Sequence, residues 1–350
     1  MKKIIFTIVT RNYLWAARAL VHQLELHGDD SELFVCVVDL DDNADDVLCG
    51  SATVISGASL VDKEKFNYLS FIYSPFELCC VLRPYAHKFF FSEENPDRLL
   101  FLDSDIYITS NVWQPFERFI DQQIILSSHI CAPSSPEDSD IFEGNLLKHG
   151  VYNGGVLQLN AGENTEKFLD WFENRLFSRG DGFDSSDQIW LNLVPLLFEG
   201  VAVVTNPEVN VGWWNLHERL ISKADDGSFW VNGNPLHSLH LSHWSPEKPT
   251  VCSSHYPEIK PGEEWLELAG QYASLCYSHG FAACMQIPYG FAKFDDCKPI
   301  ETWMRRHYKE LTESNKKPLD RSPFASSDYF LRLESRGSQK KKLGIFSFFK

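Results

Sequence analysis

Apolar runs broken at short intervals by polar punctuation organise this chain. Residues 3–10, Lys-Ile-Ile-Phe-Thr-Ile-Val-Thr, predict a first buried strand. After Arg11-Asn12-Tyr13, the positions Leu14, Ala17, Leu20, Val21 and Leu24 share one helical face over Leu14 to His27, and Gly28 ends that helix. Leu33 to Val38 predict a second buried strand, ending at Asp39, Asp41 and Asp42. Strand alternating with helix from the first residues predicts a parallel sheet with helices on both faces.

The pattern continues along the chain. Ser74-Pro75-Phe76-Glu77 is a capping box with proline at the first helical position, so a helix starts there and runs towards Phe90, kinked at Pro84. Arg98-Leu-Leu-Phe-Leu-Asp103-Ser104-Asp105 is a buried strand that stops at two carboxylates spaced i, i+2. Short strands follow at Ile124–Leu126, after Tyr152-Asn153-Gly154-Gly155, and at Val201–Val204, with helices from Thr165 to Phe177 and from Asp187-Gln188 onward. Pro133 to Asp140 is a polar loop. Ser238-Leu-His240-Leu-Ser-His243-Trp244 reads as a strand end carrying two histidines. Residues 250–310 read as a helical extension with an aromatic loop, Pro288 to Phe294, and 311–342 as a polar linker. The domain expectation is a catalytic unit over 1–249, the extension over 250–310, and a linker with tail over 311–350.

Composition narrows the class. With 44% hydrophobic and 14% aromatic residues over 350 positions, the chain is globular. Its apolar runs fall short of the roughly 20 residues a membrane helix needs. The basic N-terminal start is followed by too short an apolar run for a signal peptide, with no small-residue cleavage site. Nine cysteines without a CxxC spacing read as reduced cytosolic thiols and argue against zinc. The net charge is −16, but residues 331–350 hold six Lys/Arg against one Glu, which leaves −21 on residues 1–330. So acidic a body argues against nucleic acid as a partner.

The two acids carry the chemistry. Ligands of open α/β sheets bind in the crevice beyond the strand ends, and hard oxygen ligands there suit Mg²⁺ or Mn²⁺ holding a substrate diphosphate. A rival reading is the nucleophile strand of aspartyl-phosphate phosphatases, but Tyr107 stands where that pattern has Thr or Val. A histidine commonly completes such a metal set. His240 and His243 lie in opposite phase on a strand, so one of them faces the metal. Lys248 supplies a cation for a diphosphate. Gly154 and Gly155 allow close backbone approach. Asp187 fits a helix N-cap as well as a site residue, and Trp213-Trp214 fits a core as well as a sugar face.

Taken in order, these pieces resemble the GT-A glycosyltransferases related to family 8, the glycogenin- and galactosyltransferase-like enzymes. The nearer likeness is to a bacterial surface-polysaccharide branch. Leu102-Asp103-Ser-Asp105-Ile, Asn153-Gly-Gly, Asp187-Gln188 with Leu193-Val-Pro-Leu-Leu-Phe-Glu-Gly200, Asn210-Val-Gly-Trp-Trp-Asn-Leu-His-Glu-Arg219 and His240 to Pro249 carry it, over about residues 1–305. The resemblance implies a mixed Rossmann-like sheet flanked by helices, with a C-terminal helical extension. It implies a metal-dependent, retaining transfer of a sugar from a nucleotide-sugar, UDP-sugar favoured over GDP-sugar, to a glycan or lipid-linked acceptor in surface polysaccharide or lipopolysaccharide synthesis. Asp103, Asp105 and His240 match its metal ligands. Thr10, Asn12 and Tyr13 match the base and ribose loop. Arg83 and Lys248 match residues near the donor diphosphate, and Ser104, Gly154 and Gly155 are expected among the donor-binding residues. Asn153, Asp187 and Gln188 match residues around the transferred sugar. The family glycine three residues after the metal histidine is His243 here, so either the loop differs or His243 is itself a phosphate contact or an alternative ligand.

The tail, Lys340-Lys-Lys-Leu-Gly-Ile-Phe-Ser-Phe-Phe-Lys350, mixes basic and aromatic residues. It reads as a peripheral anchor on the anionic inner face of the cytoplasmic membrane, or as a solubilising end. A non-catalytic sugar-binding relative that retains the fold is the other alternative to an enzyme.

Overall fold

The computed structural model describes residues 1–40, 47–177, 187–313 and 322–342. Its first half alternates as the apolar runs require: β1 (Lys3–Val9), α1 (Leu14–Leu26), β2 (Glu32–Val37), β3 (Thr53–Ser56), α2 (Lys63–Ile72), α3 (Pro75–Phe89) and β4 (Arg98–Leu102). The capping box forms, with Glu77 N–H donating to Ser74 Oγ and Ser74 N–H to Glu77 Oε2. Helix α3 runs through Pro84 and passes into a π-helical turn at Phe90–Glu94. Next come β5 (Ile106–Ile108), β6 (Ile124–Ser128), α4 (Glu143–His149), β7 (Tyr152–Asn160), α5 (Glu163–Phe177), α6 (Gln188–Leu191), α7 (Val194–Leu197) and β8 (Val201–Val204). A small sheet, β9 (Ile221–Lys223), β10 (Phe229–Val231) and β11 (Asn234–Pro235), precedes β12 (Ser238–His240). The chain closes with α8 (Glu263–Ser278), α9 (Phe281–Cys284), α10 (Thr302–Glu313) and α11 (Ser327–Lys342).

Seven strands make the central sheet in the order β3-β2-β1-β4-β7-β6-β8. All neighbours are parallel except β7, which runs antiparallel to both β4 and β6. This is a mixed, Rossmann-like α/β sheet rather than the fully parallel one that strand–helix alternation predicts. Period-2 alternation divides the core. Ile4, Phe6 and Ile8 face the helices α2, α3 and α5, while Ile5 and Val9 face α1 and α8.

The topology places the site. The parallel strands β1, β2, β4 and β6 end along one sheet edge, at Thr10, Asp39, Asp103 and His129. Because β7 is reversed, its beginning lies at that edge too, with Val156 opposite Leu102. Its register against β6 jumps from Leu157 opposite Leu126 to Asn153 opposite Ser127, so Gly154, Gly155 and Val156 bulge out of that pairing. The two-stranded pair β5–β12 sets His240 opposite Ile106.

One expectation about the end of the chain changes. Residues 322–342 are not linker: α11 docks through Phe330, which is fully buried and stacks on Phe71. Its average polarity hides one aromatic anchor. Asp41 and Asp42, and the tail beyond Lys342, lie outside the described residues. No helix among the described residues is long and apolar enough to cross a membrane, and all nine cysteines are free thiols.

Candidate active site

Asp103 leaves the end of β4, Asp105 stands just before β5, and His240 ends β12. One ligand atom from each lies within 4.8 Å of the others. His240 Nε2 is 3.2 Å from Asp105 Oδ1 and 3.8 Å from Asp103 Oδ2. The ring is 4% exposed, and its Nδ1 lies 2.9 Å from Asn210 Oδ1. Burial pushes the Asp103 carboxyl above its ordinary value; the Arg83 guanidinium opposes this and the Asp105 charge adds to it. Burial would raise Asp105 too, but the His240 charge and hydrogen bond hold it below the usual carboxylate range. Burial would lower the His240 imidazole, and the two carboxylates raise it instead.

The residues fit a divalent cation. Two carboxylates and one imidazole nitrogen form a mixed oxygen and nitrogen donor set suited to Mn²⁺. Gly155 makes the space, since a Cβ there would lie 2.3 Å from Asp103 Oδ2 and 2.7 Å from His240 Cε1. Its carbonyl also accepts from Asp103 N–H at 2.8 Å, which ties the bulge of β7 to the acid.

Arg83 links this triad to a second acid. Nη2 pairs with Asp103 Oδ1 at 3.3 Å, and Nη1 pairs with Asp187 Oδ2 and donates to Gly154 O at 2.6 Å. The guanidinium also lies 4.0 Å above the Phe101 ring. Burial raises Asp187 to about 6, with Arg83 pulling the other way and Asp103 adding to the rise. Gln188 accepts from Gly154 N–H at 3.0 Å and donates to His149 O at 3.0 Å. Asn153 turns inward: Oδ1 accepts from Gly155 N–H, and Nδ2 lies 3.1 Å from His129 Nε2.

The structure thus brings Arg83, Asp103, Asp105, Asn153, Gly154, Gly155, Asp187, Gln188 and His240 into one network. Ser104 lies between the two acids, and its carbonyl accepts from Tyr272 Oη at 3.3 Å. Thr10 Oγ donates to Asn12 Oδ1 at 2.6 Å, shaping the loop that ends in the exposed Tyr13. The two histidines do not share a strand, because β12 stops at His240. His243 takes φ +59°, the left-handed conformation that a glycine favours. Its ring stacks on His255 at 3.7 Å, and burial, with the neighbouring His255, lowers it to about 4. Lys248 is exposed on the following loop. Trp213 and Trp214 are core, with Trp214 edge-on to both His129 and His240.

Three participants were given no site role from the sequence. His129 is a single polar residue beside an apolar stretch, and Asn210 opened a motif that carried the resemblance without a role of its own. Asp39 was legible only as a strand-end acid. It accepts from Arg11 N–H at 2.7 Å and from Gly290 N–H at 2.9 Å, joining the first loop to the aromatic loop of the extension.

Fold and site together define a Rossmann-like α/β protein with a candidate metal centre of two carboxylates and one histidine. No family model matches the chain. Two uncharacterised proteins of Bacillus subtilis (strain 168), YfnF and YfnD, align over 245 and 246 residues at 25% and 24% identity; each alignment covers 67% of this chain, and 80% and 76% of the relatives. The galactosyltransferase LgtC, solved with donor and acceptor sugar analogues, gives a TM-score of 0.44 at 15% identity over 79% of this chain and 95% of LgtC. The glycosyltransferase GlyE of Streptococcus pneumoniae TIGR4 gives 0.43 at 16% identity over 84% and 67%. The bifunctional glycosyltransferase WbbM gives 0.45 at 13% identity over 79% and 51%. The fold class rests on the strand order itself and not on these likenesses.

Proposed function

We propose that this chain is a metal-dependent GT-A glycosyltransferase that moves a sugar from a nucleoside-diphosphate donor, UDP-sugar favoured, to a glycan or lipid-linked acceptor of a bacterial surface polysaccharide. The observation that carries the reading is the Asp103–Asp105–His240 triad at the C-terminal sheet edge, with the buried Arg83 cation beside it. The family-8-like motifs that place these residues in order support it.

A bound Mn²⁺ or Mg²⁺ would supply positive charge to a diphosphate leaving group. Asp103, Asp105 and His240 would hold it. Thr10, Asn12 and Tyr13 take the base and ribose, and Ser104, His243 and Lys248 the diphosphate. Arg83 lies beside the departing diphosphate, where its charge favours the leaving group, and its ion pairs fix Asp103 and Asp187. Asp187 and Gln188 face the transferred sugar, Asp187 supporting positive charge that develops at the anomeric carbon. Asn153 acts by holding the Gly154–Gly155 turn. Transfer proceeds with retention. The enzyme works in the cytoplasm, and the basic, aromatic tail draws it to the anionic inner leaflet.

The test is a donor screen. Purified protein is titrated with UDP-, GDP-, CMP- and dTDP-sugars, with Mn²⁺ or with EDTA, reading thermal shift and nucleotide release. One metal-dependent donor is expected, and Asp103→Ala and Asp105→Ala should abolish its turnover. Binding of no donor, or full turnover in either variant, overturns the proposal.

A further inference from the structure

We infer that Asn210 is a positioning residue that fixes the tautomer and orientation of His240, and so sets the metal affinity of the triad. The argument starts from the ring. A histidine ligates through an unprotonated nitrogen, and the hydrogen bond at the other nitrogen decides which one that is. Only Nε2 of His240 points at Asp103 and Asp105. Nδ1 points at the side-chain amide of Asn210. With Oδ1 accepting, the proton sits on Nδ1 and the Nε2 lone pair faces the two acids. With the amide turned over, Nε2 would carry the proton and the site would be blocked.

The amide is held from several sides. Asn210 is fully buried. Its Nδ2 donates to Ser127 Oγ at 3.3 Å, which keeps Oδ1 towards the ring. Its backbone N–H donates to Ser238 Oγ at 2.9 Å, and its carbonyl accepts from Asn215 Nδ2 at 3.1 Å. Asn215 also donates to His129 O at 2.8 Å and accepts from Gly212 N–H at 2.9 Å, so it is itself immobile. The backbone of Asn210 adopts φ +58°, a left-handed conformation that asparagine enters more readily than other side chains of similar size. Trp214 packs edge-on against the imidazole at 5.2 Å, which restricts tilt but does not choose a nitrogen. Among the described residues Asn210 is the acceptor at Nδ1, set against the Asp105 carboxylate, which favours a proton on Nε2.

The experiment separates this role from a structural one. Long-range ¹H–¹⁵N correlation spectra of the metal-free wild type, recorded above the titration range of the ring and assigned with His240→Gln, should show the Nδ1–H tautomer. Asn210→Gly keeps the left-handed backbone and removes the acceptor. Its Mn²⁺ affinity, measured by calorimetry without any donor, should fall about 10- to 100-fold. Asn210→Asp restores an acceptor oxygen, and its affinity should return to within about threefold of wild type. A wild-type ring protonated on Nε2, or a folded Asn210→Gly with wild-type affinity, overturns the inference. If Asn210→Gly does not fold, the wild-type tautomer decides. The inference rests on the metal reading of the triad and not on sugar transfer. Wild type that binds Mn²⁺ but uses no donor would remove the proposed activity and leave Asn210 in place. Normal turnover with the wrong tautomer would do the reverse.

Discussion

A methyl group at Gly155 would lie inside the contact distance of both Asp103 and His240. Gly155→Ala is therefore expected to push two of the candidate ligands apart while leaving the β4–β7 ladder intact. Mn²⁺ affinity should drop at least about tenfold, as for other disruptions of a ligand's surroundings. Calorimetry checks this, and wild-type affinity in a folded variant would show that the triad does not close on an ion. Residues of this kind explain what the sequence could reveal. Asp103 and Asp105 were legible because a buried strand ended on them. Gly155 was legible as a close-approach glycine, but what it approaches depends on β7 running against β4, which no local pattern encodes. His243 was legible as a departure from a glycine, and its φ of +59° is a left-handed conformation that glycine favours.

Among the elements, the N-terminal strands, α1 and α3 followed from periodicity and capping. The register jump between β6 and β7 did not, nor did the small sheet of β9 to β11, whose strands span two or three residues. Helix α11 was missed because its sequence is polar on average and one residue anchors it. Phe330 contacts Phe71, Phe294 and Tyr329. Phe330→Ala should cost about 3–5 kcal/mol, the usual range for a buried phenylalanine. Urea unfolding measures it, and a loss below about 1 kcal/mol would mean that α11 does not stay docked. The tail is a separate matter. Deleting residues 338–350 should release the protein from anionic vesicles and leave its urea midpoint unchanged. Equal vesicle binding with and without the tail would remove the anchor.

For the whole molecule, buried histidines set the acid limit. Burial lowers His87 and His129 to about 3 and His237 to about 4. Unfolded, each titrates near its ordinary value, so the unfolded chain binds more protons below about pH 6.5. Stability is then complete above that value and falls as pH drops towards 4. Each such histidine contributes up to about 1.4 kcal/mol per pH unit. Asp187, raised to about 6, works the other way and offsets one of the three between pH 6 and 4. Urea unfolding from pH 7.5 to 4.5 should show the decline, and a flat profile would show that the histidines become solvated without unfolding. A different consequence follows from Asp39, which bonds Arg11 and Gly290 across 251 positions from Asp39 to Gly290. On the ribosome, His240 and the loop through Pro249 are made before Gly290. At about 5–20 residues per second, the nascent chain spends roughly 2.5–10 s with Asp103, Asp105 and His240 all synthesised and one wall of the crevice missing. The crevice is thus the last feature of that sheet edge to be completed, and its closing waits on a residue 251 positions beyond the acid that bonds it.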